Sequence, residues 1–536
     1  MRITSPGDRT QSPIVVVDFG KEVSGPVQVR VTGASEERPG LRVCYSESLQ
    51  YLARFPGQND GQAAHAPGCD TANIWNGFPG QPYTYDSDSH ALPLAEAELP
   101  ARLTDPVLRG GYRYATLFLD GPGWVEVDEV RMRFTAAPGQ GDRLRDYRGH
   151  FLSSDHLLNK IWYAGAYTVQ INTDRPDTAK NWPYEPGEPD HADDVVPHAD
   201  PDTDVIYDGG KRDRIIWQGD LAVQAPVVWL STGDEAALKN SLSSLAAQQL
   251  DDGYVPAASL VGQHNQNELR NYGEYVTWFV SNMAEHHRWT GDERYLRRWW
   301  PAMERAVAWL EEQRDDTGLL SMEASGSCGH YGYRNCGHET YINALYARNL
   351  DQLAALARPA GERAAAAGYA ARADEVRRAI NDQLWDAEAG AYRLSTEIPS
   401  AYPQDGNAAA VLAGVANRSK ARRAMTHLRR NSWGDIGSLT VSPSTPNASL
   451  SPFYAPLPSW FEVDARLTAP GSTPLQQQSA FTLMKRFGAG SCGRTRARRS
   501  GSTCSRTATR TSSSSPASPT GGARGRPRAC RPTCWA

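Results

Sequence analysis

The chain has 536 residues, and its 56 Lys and Arg against 61 Asp and Glu leave a formal charge of −5. No run of about 18 apolar residues occurs, which excludes a transmembrane helix, and the start lacks the apolar segment of a signal peptide. Four cysteines among the first 487 residues are too few for a disulfide framework in a chain of this size. We therefore predict several domains with large cores and a cytoplasmic location, with no membrane partner.

Charge is distributed unevenly along the chain. Residues 488–536 contain ten Arg and no Lys, Asp or Glu, whereas the first 487 residues contain 46 basic and 61 acidic residues. The tail is otherwise Ser, Thr, Gly, Ala and Pro, a composition typical of disorder. An Arg-rich tail can bind nucleic acid non-specifically, but this one lacks the interleaved aromatic residues of a binding module. We predict a disordered tail over 488–536 and no nucleic-acid partner.

Residues 1–148 predict an antiparallel β-sandwich. Short segments rich in β-branched and aromatic residues alternate in period two and are separated by Gly, Pro and Asp. The predicted strands cover 13–20, 25–31, 41–45, 112–119 and 125–134. The polar stretch 52–106 is predicted to be a long loop.

From residue 149 the apolar period becomes helical and continues to residue 487. Gly291 and Gly318 mark plausible helix ends, and no fixed repeat length is present, which argues against a solenoid. Successive helical hairpins with long loops favour a helical toroid over a bundle. The predicted helices cover 153–171, 235–250, 273–289, 294–314, 339–357, 363–385, 407–430 and 473–486.

The segment from 208 to 220 contains three Asp, two Arg, one Lys and one Trp. A carboxyl that acts as a general acid needs a raised pKa, a second carboxylate can orient hydroxyl groups, and an aromatic ring can line a sugar subsite. Residues of these types are present as Asp208, Asp213, Trp217 and Asp220. The alternative is a solvated charged loop with Arg–Asp pairs.

Three further residues are weaker candidates for ligand contact. Glu274 and Trp278 lie four residues apart on one face of a predicted helix, and their alternative roles are a capping Glu and a core Trp. Glu462, near the start of a late helix, is interpreted as structural or as lining a subsite.

Histidines and cysteines raise the question of a metal site. A zinc site over 328–338 is conceivable, but its ligand spacing is irregular for structural zinc. The acidic stretch 185–208, which contains two His, is more typical of a solvated insertion. We predict no metal and no cofactor. The residues weighed as ligands of the zinc site are Cys328, His330, Cys336 and His338.

The segment Asp213-Arg-Ile-Ile-Trp217-Gln-Gly219-Asp220 resembles the hallmark of the α-L-rhamnosidase six-hairpin glycosidases. In that family an acidic residue and Arg are followed by two variable residues and Trp-x-Gly-Asp, with another Asp upstream, here Asp208. Similar landmarks continue over most of 13–487. They are Asp18-Phe-Gly-Lys-Glu-Val-Ser-Gly, Tyr112-Arg-Tyr, Thr290-Gly-Asp and Gln404-Asp-Gly-Asn407.

The resemblance implies an N-terminal β-sandwich, shorter than in the family, followed over 149–487 by an (α/α)6 toroid. It implies inverting, exo-acting hydrolysis of terminal α-L-rhamnosides or a related sugar, with a carbohydrate as the substrate. Asp213 would be the general acid, and Asp208 and Asp220 would bind hydroxyl groups or tune it. Arg212 would neutralise nearby charge, and Trp217 would stack on the sugar.

The assignment of the acid depends on where the family pattern is counted from. Many members carry Arg-Asp-Glu-Arg before the Trp, whereas this chain has Arg212-Asp213-Arg214, one residue shorter. Counting back from Trp217 places Asp213 at the acid position. Counting forward from Asp208 would place Arg214 there, which is chemically impossible for an acid.

The family's general base follows a Lys/Arg-Arg-Phe helix, and this chain loses the pattern after Phe487. If the tail codons are read from their third base, residues 489–490 permit Trp, 496–502 permit Phe-Trp-Glu, and 517–522 permit Leu-Ala-His-Gly-Trp. Three ordered landmarks in one frame predict a frameshift after Phe487. The chain as it stands would then lack its general base.

Three alternatives to this function stay open. The loss of the base favours a catalytically impaired, carbohydrate-binding pseudoenzyme, which would bind a glycan without turnover. Another (α/α)6 hydrolase would release a different sugar. A polysaccharide lyase would form an unsaturated product that absorbs in the ultraviolet.

Overall fold

The computed structural model describes residues 1–7, 13–49, 89–106, 108, 110–180, 193–211, 213–261, 272–322, 337–442 and 452–491. Strands dominate the first part. They are β1 (Arg2–Pro6), β2 (Val15–Ser24), β3 (Val27–Ala34), β4 (Gly40–Ser46), β5 (Ser89–Ala91), β6 (Ala101–Thr104), β7 (Gly111–Asp120) and β8 (Pro122–Met132). Short two-residue strands follow at β9 (Thr173–Asp174), β10 (Ala179–Lys180), β11 (Asp193–Asp194), β12 (Val205–Ile206), β13 (Trp385–Asp386) and β14 (Ala391–Tyr392).

Helices dominate the second part. They are α1 (His156–Asn172), α2 (Gln218–Leu230), α3 (Glu235–Ala247), α4 (Tyr275–Thr290), α5 (Glu293–Glu311), α6 (Thr340–Ala360), α7 (Ala366–Gln383), α8 (Gln404–Leu412), α9 (Arg418–Asn431), α10 (Pro456–Thr468) and α11 (Pro474–Ser491). Thus α11 extends four residues into the predicted tail, and the rest of that tail lies outside the described residues.

The N-terminal strands form two four-stranded antiparallel sheets, in the orders β1-β8-β3-β6 and β2-β7-β4-β5. Alternate residues of β3 (Val27, Val29 and Val31) are fully buried. They share one hydrophobic core with residues of the other sheet, such as Leu41 and Leu117. Because each sheet buries one face against the other, the arrangement is the one that the predicted sandwich requires.

The five predicted strands correspond to β2, β3, β4, β7 and β8, and three strands of the two N-terminal sheets, β1, β5 and β6, were not predicted. Two of them, β5 and β6, lie within the stretch 52–106, so its prediction as one long loop is wrong at that end. These strands have three and four residues, too few to display a period of two. Residues 50–88 lie outside the described residues.

The helices form two layers. Alternate helices contact one another in the order α2, α4, α6, α8 and α10, and each of them contacts the helix that follows it. Helix α8 is buried along nearly its whole length, whereas α9 buries only one side. We therefore call α2, α4, α6, α8 and α10 the inner helices, and α3, α5, α7, α9 and α11 the outer helices.

The inner helices begin at the same end of this domain. Trp278 in the first turn of α4 stacks on Phe461 of α10, with ring centroids 5.4 Å apart. Tyr341 in the first turn of α6 contacts the same phenylalanine at 6.0 Å. Asn282 of α4 donates to the backbone carbonyl of Gln218, the first residue of α2, at 2.8 Å. We call the end where these N-termini meet the mouth.

Helix α2 was missed because Pro226 lies inside it and interrupts its pattern. Helix α10 is the late helix expected at Glu462, and Pro456 begins it. The predicted helix 407–430 is two helices, α8 and α9. Gly414 adopts a φ of 67° between them, a conformation that favours glycine. The Asn417 side chain then caps α9 by accepting from the Lys420 N–H at 3.0 Å.

A membrane-spanning helix would need a longer apolar stretch than any helix has within the described residues. Cys44 is disulfide-bonded, a feature that the cysteine count did not predict. Disulfides form mainly in oxidising compartments. The disulfide therefore does not support the cytoplasmic location, which stays a prediction.

Candidate active site

Asp208 organises the loop that joins β12 to α2. Its carboxylate accepts hydrogen bonds from the backbone N–H of Asp213 at 2.7 Å and of Ile215 at 3.2 Å. Its own N–H donates to the Ile215 carbonyl at 3.0 Å. These three bonds close the loop on itself, so Asp213 is held beside Asp208.

Arg214 anchors the same loop in the protein interior. The residue is fully buried, and its guanidinium donates to the carbonyl oxygens of Thr178 and Gly210, both at 2.9 Å, and to the carboxylate of Asp174 at 3.2 Å. Its φ of 57° is unusual for a residue with a side chain. Such a conformation persists where surrounding contacts over-determine it. Arg214 is therefore structural, and the adjacent Asp213 is the partly exposed residue.

Asp220 lies in the first turn of α2, where the helix dipole favours an anion. Desolvation by the surrounding protein and the nearby charge of Asp213 outweigh that effect and raise the pKa of Asp220 to about 7. The same causes, desolvation first and then the charges of Asp213 and Asp220, raise the pKa of Asp208 well above its ordinary value. Asp208 and Asp220 therefore both respond to the charge of Asp213, and each holds its proton to a higher pH than an ordinary aspartate.

The raised pKa of Asp220 predicts a pH-dependent stability. In the unfolded chain this carboxyl loses its proton near the ordinary aspartate pKa of 3.8, whereas in the folded chain its pKa is about 7. Raising the pH through that window therefore favours the unfolded state and lowers the free energy of unfolding. We expect Asp220→Asn to flatten this decline, as measured by urea denaturation from pH 4 to 8. An unchanged slope would contradict the shift.

Aromatic rings surround Trp217, which immediately precedes α2 and is 8% exposed. Tyr272 lies edge-on to it with centroids 5.7 Å apart, and Tyr275 contacts it at 5.6 Å. Gly219 permits this approach, since a Cβ there would lie 3.1 Å from the Tyr275 ring. The two tyrosines were not predicted as site residues. Both tyrosines lie more than fifty residues after Trp217 in the sequence, so local residue spacing could not predict their contact with it.

Glu274 and Trp278 both lie in the interior near the mouth, each 2% exposed. Glu274 occupies the N-cap position of α4, and the Trp278 ring is covered by Phe461. Trp278 therefore presents almost no surface to a ligand, as expected if it is a core tryptophan. Arg212 lies outside the described residues.

Glu462 is part of a buried polar network on α10. Its carboxylate accepts hydrogen bonds from Trp433 Nε1 at 2.7 Å, Gln404 Nε2 at 2.8 Å and Arg466 Nε at 2.9 Å. Both Glu462 and Arg466 are almost completely buried. Of the two predicted interpretations, the structural one accounts for these contacts.

Of the four residues considered as a zinc site and disfavoured for that role, His338 alone lies within the described residues. Its ring nitrogens contact Asp315 and Glu397, each at 2.7 Å. Burial lowers the pKa of His338, but these carboxylates outweigh burial and raise the pKa above its ordinary value. The residue thus joins two loops electrostatically. Cys328, His330 and Cys336 lie outside the described residues.

Comparisons with known proteins agree with this architecture. Residues 203–440 match the bacterial α-L-rhamnosidase six-hairpin glycosidase domain. The fold is similar to that of a rhamnosidase from Klebsiella oxytoca solved with rhamnose bound, with a TM-score of 0.65, 18% identity, and coverage of 91% of this chain and 80% of that chain. It is also similar to the GH78 family rhamnosidase of Bacillus sp. GL1, with a TM-score of 0.61, 20% identity, and coverage of 89% and 41%.

Residues 203–440 are thus similar to the six-hairpin glycosidase domain. The resemblance to their α-L-rhamnosidase-like members, predicted from the Asp213–Asp220 segment, is confirmed by the family match, which includes that segment. The chain spans less than half the length of the Bacillus protein. A comparison with curated proteins found no match.

Proposed function

We propose that this chain is built as an inverting exo-glycosidase that removes terminal α-L-rhamnose or a related sugar. The observation that supports it most is the cluster of Asp208, Asp213 and Asp220 beside Trp217 at the start of α2. A general acid for glycosidic bond cleavage requires a raised pKa, and neighbouring carboxylates such as those of Asp208 and Asp220 raise the pKa of a carboxyl. The neighbouring ring supplies an apolar surface for a sugar.

In the proposed reaction Asp213 is the general acid. It gives its proton to the glycosidic oxygen as the bond to the anomeric carbon breaks, and so becomes a carboxylate. Asp208 fixes the Asp213 backbone through the 2.7 Å hydrogen bond, and both Asp208 and Asp220 can bind sugar hydroxyls. Inversion requires a second carboxylate across the sugar, roughly 6.5–9.5 Å away, to deprotonate the attacking water.

The proposed architecture is an (α/α)6 toroid over 149–487 behind a β-sandwich over 1–148. The alternation of five inner and five outer helices in the described residues supports it. Helix α1 contacts both α2 and α11 and so lies at the opening of the inner row. A sixth inner helix between α10 and α2 would complete the ring.

The proposal places the general base beyond Phe487, in the reading frame that restores the family landmarks. We expect the chain translated in that frame to release p-nitrophenol from p-nitrophenyl α-L-rhamnoside about 10²–10⁴ times faster than the present chain, as general-base catalysis implies. A panel of other p-nitrophenyl glycosides serves as the control. Faster release of another sugar, or an ultraviolet-absorbing unsaturated product, would overturn the assignment.

The impaired-enzyme alternative makes a prediction for the present chain, which lacks the general base. As a carbohydrate-binding pseudoenzyme it would bind L-rhamnose, as followed by calorimetry, and would show no turnover. The observation that supports this alternative is the break in amino-acid composition after Phe487.

A further inference from the structure

Outer helix α9 carries an unusual concentration of positive charge. Its fourteen residues include five Arg and one Lys and no Asp or Glu, although acidic residues outnumber basic ones by 61 to 46 in the first 487 residues. If these charges were spread evenly, the net negative surface of residues 1–487 would repel polyanions. The cationic helix α9 creates a local region of positive potential on that surface.

The arginines of α9 share one exposed face. At 100° per residue, Arg418, Arg422 and Arg429 lie within about 40° of one another around the helix. A second row, Arg423 and Arg430, follows at about 120–140°. All five are exposed. From Arg418 to Arg429 the first row extends about 16 Å along the axis, at 1.5 Å per residue.

The opposite face of α9 packs against the domain through small and apolar side chains and His427. The exposed arginines are therefore not needed for packing. In the part of the chain that the structure describes, no carboxylate pairs with Arg418, Arg422, Arg429 or Arg430. Their charges are directed to the solvent. The buried residues of α9 are Ala421, Ala424, Met425, His427 and Leu428.

The C-terminal end of α9 lies at the mouth. Trp433, two residues beyond the helix, donates to Glu462 of α10. The strand-like bridges Pro403–Val441 and Leu439–Tyr454 join the segment after α9 to the segments that precede α8 and α10. Arg429 stacks on the Trp433 ring. The arginine face thus begins beside the N-termini of the inner helices and extends away from them over the outer layer.

We infer that the arginine face of α9 binds an anionic polysaccharide, whose carboxylate or sulfate groups pair with these guanidinium groups. This inference rests on the proposed function, because it places the terminal sugar of that polymer in the mouth and the following anionic residues along α9. Guanidinium groups form bidentate pairs with such oxyanions. A nucleic acid is disfavoured because single-strand binding surfaces combine cations with exposed stacking rings. The Trp433 ring is only partly exposed and already carries Arg429.

The test measures binding of the full chain to four polymers by affinity electrophoresis at low and high salt. Polygalacturonate and dextran sulfate are the carboxylated and sulfated probes, and dextran and single-stranded DNA are the comparisons. The Arg418→Gln, Arg422→Gln, Arg429→Gln triple variant is compared with a control that removes equal charge from other exposed arginines. The control carries Arg294→Gln, Arg358→Gln and Arg378→Gln.

We expect the α9 triple variant to bind at least one anionic polysaccharide about tenfold more weakly than the wild type, and the control to bind it normally. High salt should weaken wild-type binding, and neutral dextran should not bind. The carboxylated and sulfated probes show which anion is preferred.

Equal binding by both triple variants, binding of neutral dextran, or tighter binding of DNA than of both polysaccharides would overturn the inference. If the α9 variant fails to fold, the wild-type salt dependence and polymer ranking decide. No turnover is needed, so failure of the proposed hydrolysis is detected separately in the rhamnoside assay.

Discussion

Asp213→Asn is expected to lower the turnover of p-nitrophenyl α-L-rhamnoside by about 10²–10⁴-fold, the range for loss of a general acid or base. The assay uses the chain read in the alternative frame after Phe487. An amide has the size of the carboxylic acid but cannot give a proton to the glycosidic oxygen. Since the hydrogen bond from the Asp213 backbone to Asp208 is retained, the loop should keep its shape. We therefore expect kcat to fall far more than KM rises.

The matched control is Asp316→Asn, which makes the same chemical change at an exposed aspartate outside the candidate site. Its turnover should equal that of the parent chain. The p-nitrophenolate leaving group needs less protonation than an alkoxide, so a rhamnoside with an alkyl leaving group should show a still larger loss in Asp213→Asn. Parent-like turnover of both substrates would remove Asp213 from the mechanism.

Arg214→Met is expected to reduce the free energy of unfolding by about 3–5 kcal/mol, the range for removing one partner of a buried ion pair. The substitution leaves the carboxylate of Asp174 buried, 2% exposed, without its guanidinium partner. It also removes the hydrogen bonds to Thr178 and Gly210 that hold residue 214 at positive φ. Urea denaturation followed by tryptophan fluorescence measures the change.

Arg113→Met provides the comparison, since the Arg113–Asp18 pair is exposed, with 38% and 45% of the two side chains accessible. Exposed pairs contribute about 1 kcal/mol or less, so this substitution should be nearly silent. Equal losses of stability in the two variants would mean that Arg214 does not anchor the loop.

The sequence predicted the long elements well because a repeated burial pattern determines them. Strand β3 alternates Val27, Val29 and Val31 over enough residues for the period to be visible. Helix α2 escaped prediction because its start coincides with the charged segment and Pro226 interrupts its pattern. Proline is tolerated there because packing between inner helices, rather than local propensity, stabilises the helix.

The candidate site was predicted only where its residues are close in sequence. Spacing alone brought Asp208, Asp213, Trp217 and Asp220 together as candidates, and the local hydrogen bonds of Asp208 are consistent with that grouping. The role of Arg214 depends on Asp174, forty residues earlier. Pattern reading does not reveal such a partner, because it emerges only when β9 and the loop pack together.

The stereochemistry of sugar release tests the central proposal most directly. Proton NMR follows the anomeric signal of rhamnose released from an α-L-rhamnoside by the chain read in the alternative frame after Phe487. Inverting hydrolysis driven by Asp213 predicts that the β anomer appears first and then mutarotates to the equilibrium mixture. Initial release of the α anomer, or no release of rhamnose at all, would contradict the account.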